Sequence, residues 1–221
     1  MAATAVSAGL LALALPAAAA GTLVAQWHMD ETSGTTMVDS SGAGNNGVLT
    51  DVALGQPGFS GGAYGFNGVD SSVTVPDSPS LDPGADDITF TVHVTFSAIP
   101  ATDYDVLRKG LSTSSGGDYK VEILKKKSGT EAWASCFFGG SAAGKGVTFR
   151  QNLADSQWHT ITCAKTSDAI SVTVDGRTTT KSVTIGSISN SSPLWLGAKF
   201  KGTTPKDRYQ GLMDEVSIQI G

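Results

Sequence analysis

The 221-residue sequence has few His, Cys and charged residues, and this scarcity argues against several classes of protein. It has 3 His and 2 Cys, and neither Cys has a His at zinc-finger spacing, which argues against a zinc site. Charged residues make up only 16%, and the formal net charge of -5 argues against nucleic acid as the main partner. Beyond residue 20, the sequence has no apolar run long enough to span a membrane.

Short runs of alternating apolar and polar residues, separated by many of the 27 Gly, dominate the rest of the chain. In DITFTVHVTFSAI, the apolar residues from Ile88 to Phe96 share one face, whereas His93 and the Thr residues share the other. Seven further runs are strand-like: SSVTVPDS, DYKVEILKK, EAWASCFFGG, WHTITCAKT, AISVTVDG, SPLWLGAK and LMDEVSIQI. Asp175-Gly176 predicts a two-residue hairpin turn. This pattern predicts an all-β sandwich or barrel, in one domain over residues 21–221.

The first 20 residues, MAATAVSAGLLALALPAAAA, have a different character. Their apolar run from Gly9 to Leu15 is too short for a membrane span, and small residues in an A-x-A pattern follow Pro16. Residues 1–20 are therefore predicted to be a signal peptide, and the mature protein is predicted to be secreted and extracellular. The run has no Lys or Arg before it, which suggests a start codon further upstream.

The two cysteines, Cys136 and Cys163, lie in strand-like apolar runs. In an oxidising extracellular compartment we expect them to form a disulfide across neighbouring strands, the alternative being two buried free thiols. If both face the core, the two-residue period of a strand turns Trp133 and Phe137 outward. The same reasoning in SPLWLGAK turns Trp195 outward.

Charge is distributed unevenly along the chain. Eleven acidic residues precede the first basic residue, Arg108, and all 15 Lys and Arg lie from there onward. The first part therefore carries -11 and the second part +6, which together give the net charge of -5. This asymmetry suggests a cation site in the first part and contact with anions in the second.

Seven motifs occur in the order found in one known family. They are WHMDETSG…VDSSGAGNNG, GGAYGFNG, SSVTVPDSPSL, WHTITCAKT, VTVDG, LWLGA and YQGLMDEVSIQI. Together they resemble a laminin-G-like domain of the concanavalin A-like lectin/glucanase superfamily, over nearly the whole chain after residue 20. The resemblance implies a jelly roll, that is, a sandwich of two antiparallel β-sheets. It identifies a scaffold more than a function, because members include sugar binders, protein binders and enzymes.

The resemblance also implies a structural Ca²⁺ site that joins the two ends of the domain. The expected ligands are Asp39 and Asn46 of the Gly-rich loop and Asp214 of the last strand, with Asp30 in reserve. Calcium prefers hard oxygen ligands such as these. The alternatives are that Asp39 caps its own loop and that Asp214 faces solvent.

Catalytic patterns known from polysaccharide-degrading relatives are absent from the sequence. It contains no E-x-D-x-x-E run. A lyase would need a Tyr or His base beside a cation, and His93, Tyr119 and Lys120 could supply these groups. Nothing in the sequence brings those three together, so no catalytic residue is predicted.

The candidate ligand residues are the outward aromatic side chains Trp133, Phe137 and Trp195, together with Lys120 and the outward His93. Sugar rings stack on exposed aromatic rings, and neighbouring Lys residues favour an acidic polysaccharide or cell-surface glycan. The alternative is that loops cover Trp133 and Trp195, or that they lie on opposite sheets. We therefore predict a calcium-stabilised, non-catalytic, monomeric module that binds carbohydrate or an extracellular surface. An extracellular lyase or glycoside hydrolase and a protein-interaction module remain as alternatives.

Overall fold

Antiparallel β-strands form nearly all of the regular structure in the computed structural model, which describes residues 21–201 and 204–221. Sheet 1 contains β1 (Thr22–Trp27), β4 (Ala53–Pro57), β5 (Gly62–Asn67), β7 (Ile88–Thr95), β12 (His159–Lys165), β13 (Ala169–Val174), β14 (Arg177–Ser182) and β18 (Gln210–Ile220). Sheet 2 contains β2 (Thr36–Met37), β3 (Gly47–Thr50), β6 (Ser72–Val75), β8 (Asp103–Lys109), β9 (Asp118–Lys125), β10 (Ala132–Gly139), β11 (Gly144–Phe149) and β15 (Leu194–Leu196). A separate hairpin pairs β16 (Lys199–Lys201) with β17 (Thr204–Lys206), and Pro79–Leu81 form a 3₁₀ turn.

The two sheets pack face to face, which confirms the predicted two-sheet sandwich. The order across sheet 1 is β14-β13-β12-β7-β18-β5-β4 with β1 also paired to β18, and the order across sheet 2 is β11-β10-β9-β8-β15-β6-β3-β2. Strand β7 alternates between buried and half-buried residues along its whole length, as its sequence predicts. The turn at Asp175-Gly176 joins β13 to β14, and both residues have positive φ, as a type I′ turn requires. No helix within the described residues is long and apolar enough to cross a membrane.

Strand β18 occupies the middle of sheet 1, although it ends the chain. It pairs with β7 on one side, and with β5 and β1 on the other. The first and last strands of the described chain are therefore neighbours, as the laminin-G resemblance implies. The predicted signal peptide, residues 1–20, lies outside the described residues, so secretion stays a prediction.

Apolar side chains of both sheets fill the space between them. Phe90 of sheet 1 lies 5.5 Å from Tyr119 and 5.7 Å from Phe138 of sheet 2, measured between ring centroids. Trp27 is fully buried, and its indole N–H donates to the backbone oxygen of Asn45 at 2.8 Å. This bond satisfies the polar end of the indole inside the core.

A disulfide joins the two sheets through the core. Cys136 on β10 is bonded to Cys163 on β12, and their Cα atoms are 5.6 Å apart. The predicted pairing is confirmed, but the expectation that the disulfide joins neighbouring strands was wrong. The two strands face each other in different sheets and are not neighbours within one sheet, because both cysteines point into the core.

Loss of this disulfide should destabilise the fold. Closing a loop with a sequence separation of 27 residues stabilises a protein by about 3–4 kcal/mol, mainly by restricting the unfolded chain. We expect the double variant Cys136→Ala, Cys163→Ala to lose about that much unfolding free energy in urea titrations. Reduction of the wild-type chain should produce a similar loss. Identical urea midpoints for the oxidised and reduced chains would contradict this role.

Candidate functional site

The carboxylate of Asp39 is saturated with hydrogen bonds from its own protein. Oδ1 accepts from the amides of Gln26 at 3.0 Å and Ser41 at 2.9 Å, and Oδ2 accepts from the Ser41 hydroxyl and the Asn45 amide, each at 2.9 Å. The Asn46 side chain accepts from the Asp39 amide at 2.7 Å. Burial alone would raise the pKa of Asp39, but these donors outweigh it and lower the pKa.

The other two predicted ligands, Asp214 and Asp30, hold a different loop. Asp214 is fully buried, and its Oδ2 accepts from the Ser60 amide at 2.9 Å. Asp30 Oδ1 accepts from the Gly62 amide at 2.6 Å. Both carboxylates therefore fix the turn between β4 and β5. Burial raises the pKa of Asp214, although hydrogen bonds from backbone amides partly offset it.

This arrangement does not fit the predicted calcium ligand set. A carboxylate has about four lone-pair positions, and those of Asp39 are taken by four donors. Asp39 and Asp214 also bond to different loops. Within residues 21–201 and 204–221, no group of three or more His, Cys, Asp and Glu side chains is placed to hold a metal ion. The calcium ion stays a prediction, and the contacts support the alternative that Asp39 caps its own loop.

The variant Asp39→Ala distinguishes a loop cap from a calcium ligand. Loss of charge-assisted hydrogen bonds should lower the unfolding free energy by about 2–3 kcal/mol, equally in calcium and in chelator. Because the folded-state pKa of Asp39 is lowered, its stabilisation is fully present above pH 3.8 and is lost as the pH falls through the folded-state value.

Urea titrations in both buffers measure the effect, with Asp168→Ala as the control. Asp168 is exposed, and its carboxylate accepts from the hydroxyl of Thr166. A destabilisation by Asp39→Ala that occurs only in calcium would instead support the metal site.

On the outer face of sheet 2, one row of side chains crosses four strands. Trp195 on β15 pairs with Arg108 on β8, Arg108 pairs with Lys120 on β9, and Lys120 pairs with Phe137 on β10. Directly paired residues of neighbouring strands lie on the same face. The row therefore brings together three of the predicted ligand residues, Trp195, Lys120 and Phe137. Their outward orientation is confirmed, because all three are partly exposed.

A pocket of about 340 Å³ lies along this row. Its lining consists of a short loop after β8 and side chains of four strands: Arg108, Leu111, Ser112, Thr113, Asp118, Lys120, Phe137 and Lys199. The Lys120 ammonium is 5.7 Å from the centroid of the Phe137 ring and forms an ion pair with Glu122. At the other end of the row, the rings of Trp195 and Phe200 are 5.7 Å apart.

A buried charge cluster forms the floor of the pocket. Arg108 is only 3% exposed; its Nε donates to Asp105 at 2.8 Å, and its Nη1 lies 3.6 Å from Asp118. Burial raises the pKa of Asp118, while Arg108 and Lys120 partly offset that rise. Burial likewise raises the pKa of Glu122 against the effect of Lys120.

Arg108 is a site residue that the sequence reasoning missed. In DYDVLRK, regular alternation would place Arg108 on the same face as Val106, which is buried in the core. A register shift between Asp105 and Leu107 changes the phase of β8, so Asp105 and Arg108 both point outward. The two consecutive apolar residues Val106 and Leu107 were the available signal for this bulge.

Trp133 lies on the same outer face, but its ring is already in contact with charged side chains. Lys126 and Arg150 lie 5.4 Å and 5.9 Å from the ring centroid. The indole N–H donates to Glu131 at 2.8 Å. The Trp133 ring is thus in contact with two cationic side chains, whereas the Phe137 ring is in contact with one, Lys120.

The three residues considered for a lyase are separated by the sandwich. His93 lies on the outer face of sheet 1, and Lys120 lies on the outer face of sheet 2. Tyr119 is buried between the sheets, and its hydroxyl donates to the Leu81 backbone oxygen at 3.0 Å. Burial raises the pKa of Tyr119 well above its ordinary value, which disfavours a role as a base.

Removal of Arg108 should be costly, because it leaves buried carboxylates without their cation. We expect Arg108→Met to lower the unfolding free energy by about 3–5 kcal/mol, measured by urea titration. The matched control, Lys126→Met, removes a half-exposed ion pair with Glu131 and should cost less than about 1 kcal/mol. Equal effects of the two substitutions would show that Arg108 does not compensate the buried charge.

A laminin-G family model, described as the concanavalin A-like lectin/glucanases superfamily, matches residues 67–219. The chain belongs to this superfamily, as the sequence motifs predicted. No curated protein sequence matches the chain.

Several solved structures share the fold. The binding domain of Paraclostridial Mosquitocidal Protein 1 aligns with a TM-score of 0.64 and 17% identity, over 90% of this chain and 48% of that chain. Domain 4 of AbnA, a GH43 extracellular arabinanase from Geobacillus stearothermophilus, was solved with arabinotriose. It aligns with a TM-score of 0.60 and 18% identity, over 91% of this chain and 94% of that chain. The binding domain of botulinum neurotoxin DC, solved in complex with SialylT, aligns with a TM-score of 0.64 and 12% identity, over 90% of this chain and 48% of that chain. The chain thus spans about half the length of the two toxin domains.

Proposed function

We propose that this chain is a secreted, non-catalytic carbohydrate-binding module whose ligand occupies the sheet 2 pocket. The observation that carries the proposal is the row Trp195–Arg108–Lys120–Phe137 along a pocket of about 340 Å³. Three of these four residues were predicted from strand phase alone as ligand residues.

The chemistry of the lining suits a sugar. A pyranose ring has an apolar C–H face that packs on an aromatic ring, and Phe137 offers a partly exposed ring at the pocket wall. Sugar hydroxyls need donors and acceptors with fixed positions. The hydroxyls of Ser112 and Thr113 and the carboxylate of Asp118 supply such groups.

The charges of the lining favour an acidic sugar. Three cationic side chains, Arg108, Lys120 and Lys199, line the pocket together with one carboxylate, Asp118. Burial alone would lower the pKa of Lys199, but the Asp207 and Asp105 carboxylates outweigh it and raise the pKa. Lys199 is therefore protonated at neutral pH, and its ammonium is ion-paired with Asp207 beside the pocket.

Two of the structural neighbours support a glycan as the ligand class. The arabinanase domain was solved with arabinotriose, and one toxin binding domain was solved with SialylT. The first of these matches almost the whole of both chains.

The test is affinity electrophoresis through gels that contain neutral or acidic polysaccharides. We expect retardation of the wild-type chain on an acidic polysaccharide. Phe137→Ala should weaken binding roughly tenfold, because aromatic stacking contributes about 1 kcal/mol or more. Lys120→Met should weaken binding to the acidic polymer and raise mobility there.

Val38→Ala is the control, because Val38 is 53% exposed and lies away from the pocket. It should migrate like the wild type. Retardation of Phe137→Ala equal to that of the wild type would exclude this pocket. Binding to a neutral polymer alone would refute the acidic ligand class.

A further inference from the structure

The outer face of sheet 1 carries a second aromatic surface, on the side of the sandwich opposite the sheet 2 pocket. Phe59 is 50% exposed, and among the described residues it is the one exposed side chain of the types Phe, Tyr and Trp. Its ring stacks on His93 with 4.1 Å between centroids, and Trp158 meets its edge at 6.2 Å. Phe59, His93 and Trp158 are named here the aromatic triad.

The turn that presents Phe59 is firmly held. The Gly58 amide donates to the Gly61 oxygen at 3.1 Å, and the carboxylates of Asp214 and Asp30 accept from the amides of Ser60 and Gly62. A Cβ atom on Gly58 would lie 2.0 Å from the Gly62 oxygen, so the tight turn requires glycine there. An exposed aromatic ring on a fixed backbone loses little conformational entropy when it binds a ligand.

A groove of about 550 Å³ adjoins the aromatic triad. Its floor is a row of cross-strand partners, Ala53, Gly65, Leu212 and Thr95, on β4, β5, β18 and β7. His93 is the next residue on the same face of β7 after Thr95, a distance of about 7 Å along the strand. Ser156 lines the groove, and Trp158 is two residues further along the chain.

The lining of this groove differs in charge from that of the sheet 2 pocket. Its polar side chains are mainly hydroxyls and amides, from Thr95, Ser97, Ser156, Asn67 and Gln210. Asp51 is the only acidic or basic residue of the lining. Hydroxyl and amide groups beside a small apolar floor suit a ligand that has many hydroxyls and no net charge.

We propose that this groove and the aromatic triad form a second carbohydrate site, specific for a neutral oligosaccharide. One sugar ring stacks on Phe59, and the adjoining units lie in the groove, where Gln210 and Ser156 bond their hydroxyls. The site shares no lining residue with the sheet 2 pocket. A chain with sites on both outer faces binds two separate glycans and cross-links them.

The indole N–H signals of the chain's 4 Trp residues provide an NMR test. Trp158 reports the aromatic triad, and Trp195, the cross-strand partner of the pocket residue Arg108, reports the outer face of sheet 2, once each signal has been assigned by Trp→Phe substitution. The probes are arabinotriose, xylotriose and cellotriose. We expect at least one of them to shift the Trp158 signal in a saturable manner while the Trp195 signal stays unchanged.

Variants at the two ends of the proposed site complete the test. Phe59→Ala should weaken the titrated affinity roughly tenfold, and Gln210→Ala, at the far end of the groove, should weaken it several-fold. Val38→Ala is the control and should bind as the wild type does. Both Phe59 and Gln210 are exposed, so neither substitution removes core packing.

Three results would overturn the proposal: no shift of Trp158 with any of the three probes, an unchanged affinity in Phe59→Ala, or a shift confined to Trp195. Failure of the sheet 2 pocket is distinguishable, because it would appear as loss of acidic-polysaccharide binding while the Trp158 response remains.

Discussion

The pairing of β18 with three other strands is the constraint on which sheet 1 depends. Its register with β7 runs from Leu212 to Ile220, while β5 and β1 share its other edge. Strand β18 therefore pairs with strands that lie far before it in the sequence. Such pairings close long loops, and the conformational entropy lost in closing them slows folding. The same strand supplies Asp214, which fixes the turn that carries Phe59, and Leu212, which forms part of the groove floor. The surface of sheet 1 is thus built on the C-terminal strand.

Strand phase could be predicted from the sequence wherever alternation was regular. In β7 and β10, the two-residue period placed His93 and Phe137 outward and Cys136 inward, because one face of each strand must be buried. The outward orientation of Arg108 could not be predicted in this way. The bulge after Asp105 shifts the phase of β8, and a two-residue period does not predict a bulge. The position of Phe59 beside His93 could not be predicted for a different reason. Phe59 lies in a Gly-rich turn, where neighbouring residues show no period, and only the folded turn brings it over His93.

Acidic residues beside Gly-rich loops show why the ligand set could not be read from the sequence. A bent loop exposes backbone carbonyls, which suit a cation, and backbone amides, which suit a carboxylate. Both arrangements call for Asp beside Gly, Ser and Asn, so the sequence pattern is the same. In the structure, backbone amides donate to these carboxylates. Asp39 accepts from the amides of Gln26, Ser41 and Asn45, and Asp214 accepts from the amide of Ser60. Each carboxylate thus links its loop to a distant segment through hydrogen bonds.

The two outer faces differ because their strands place charge differently. On sheet 2, the bulge in β8 buries Arg108 with Asp105 and Asp118, and Lys120 with Glu122 extends this charge to the pocket rim. On sheet 1, the corresponding surface of β7 and β12 presents Thr and His side chains, and the Thr91 and Thr162 hydroxyls bond to each other at 2.9 Å. The core and the disulfide between β10 and β12 hold these faces at a fixed separation of about 10 Å between sheets. Because each face is rigid and the two point in opposite directions, a short oligosaccharide bound on one face cannot contact the other. For the two proposed sites, selectivity would consequently be set by the side chains of each face alone.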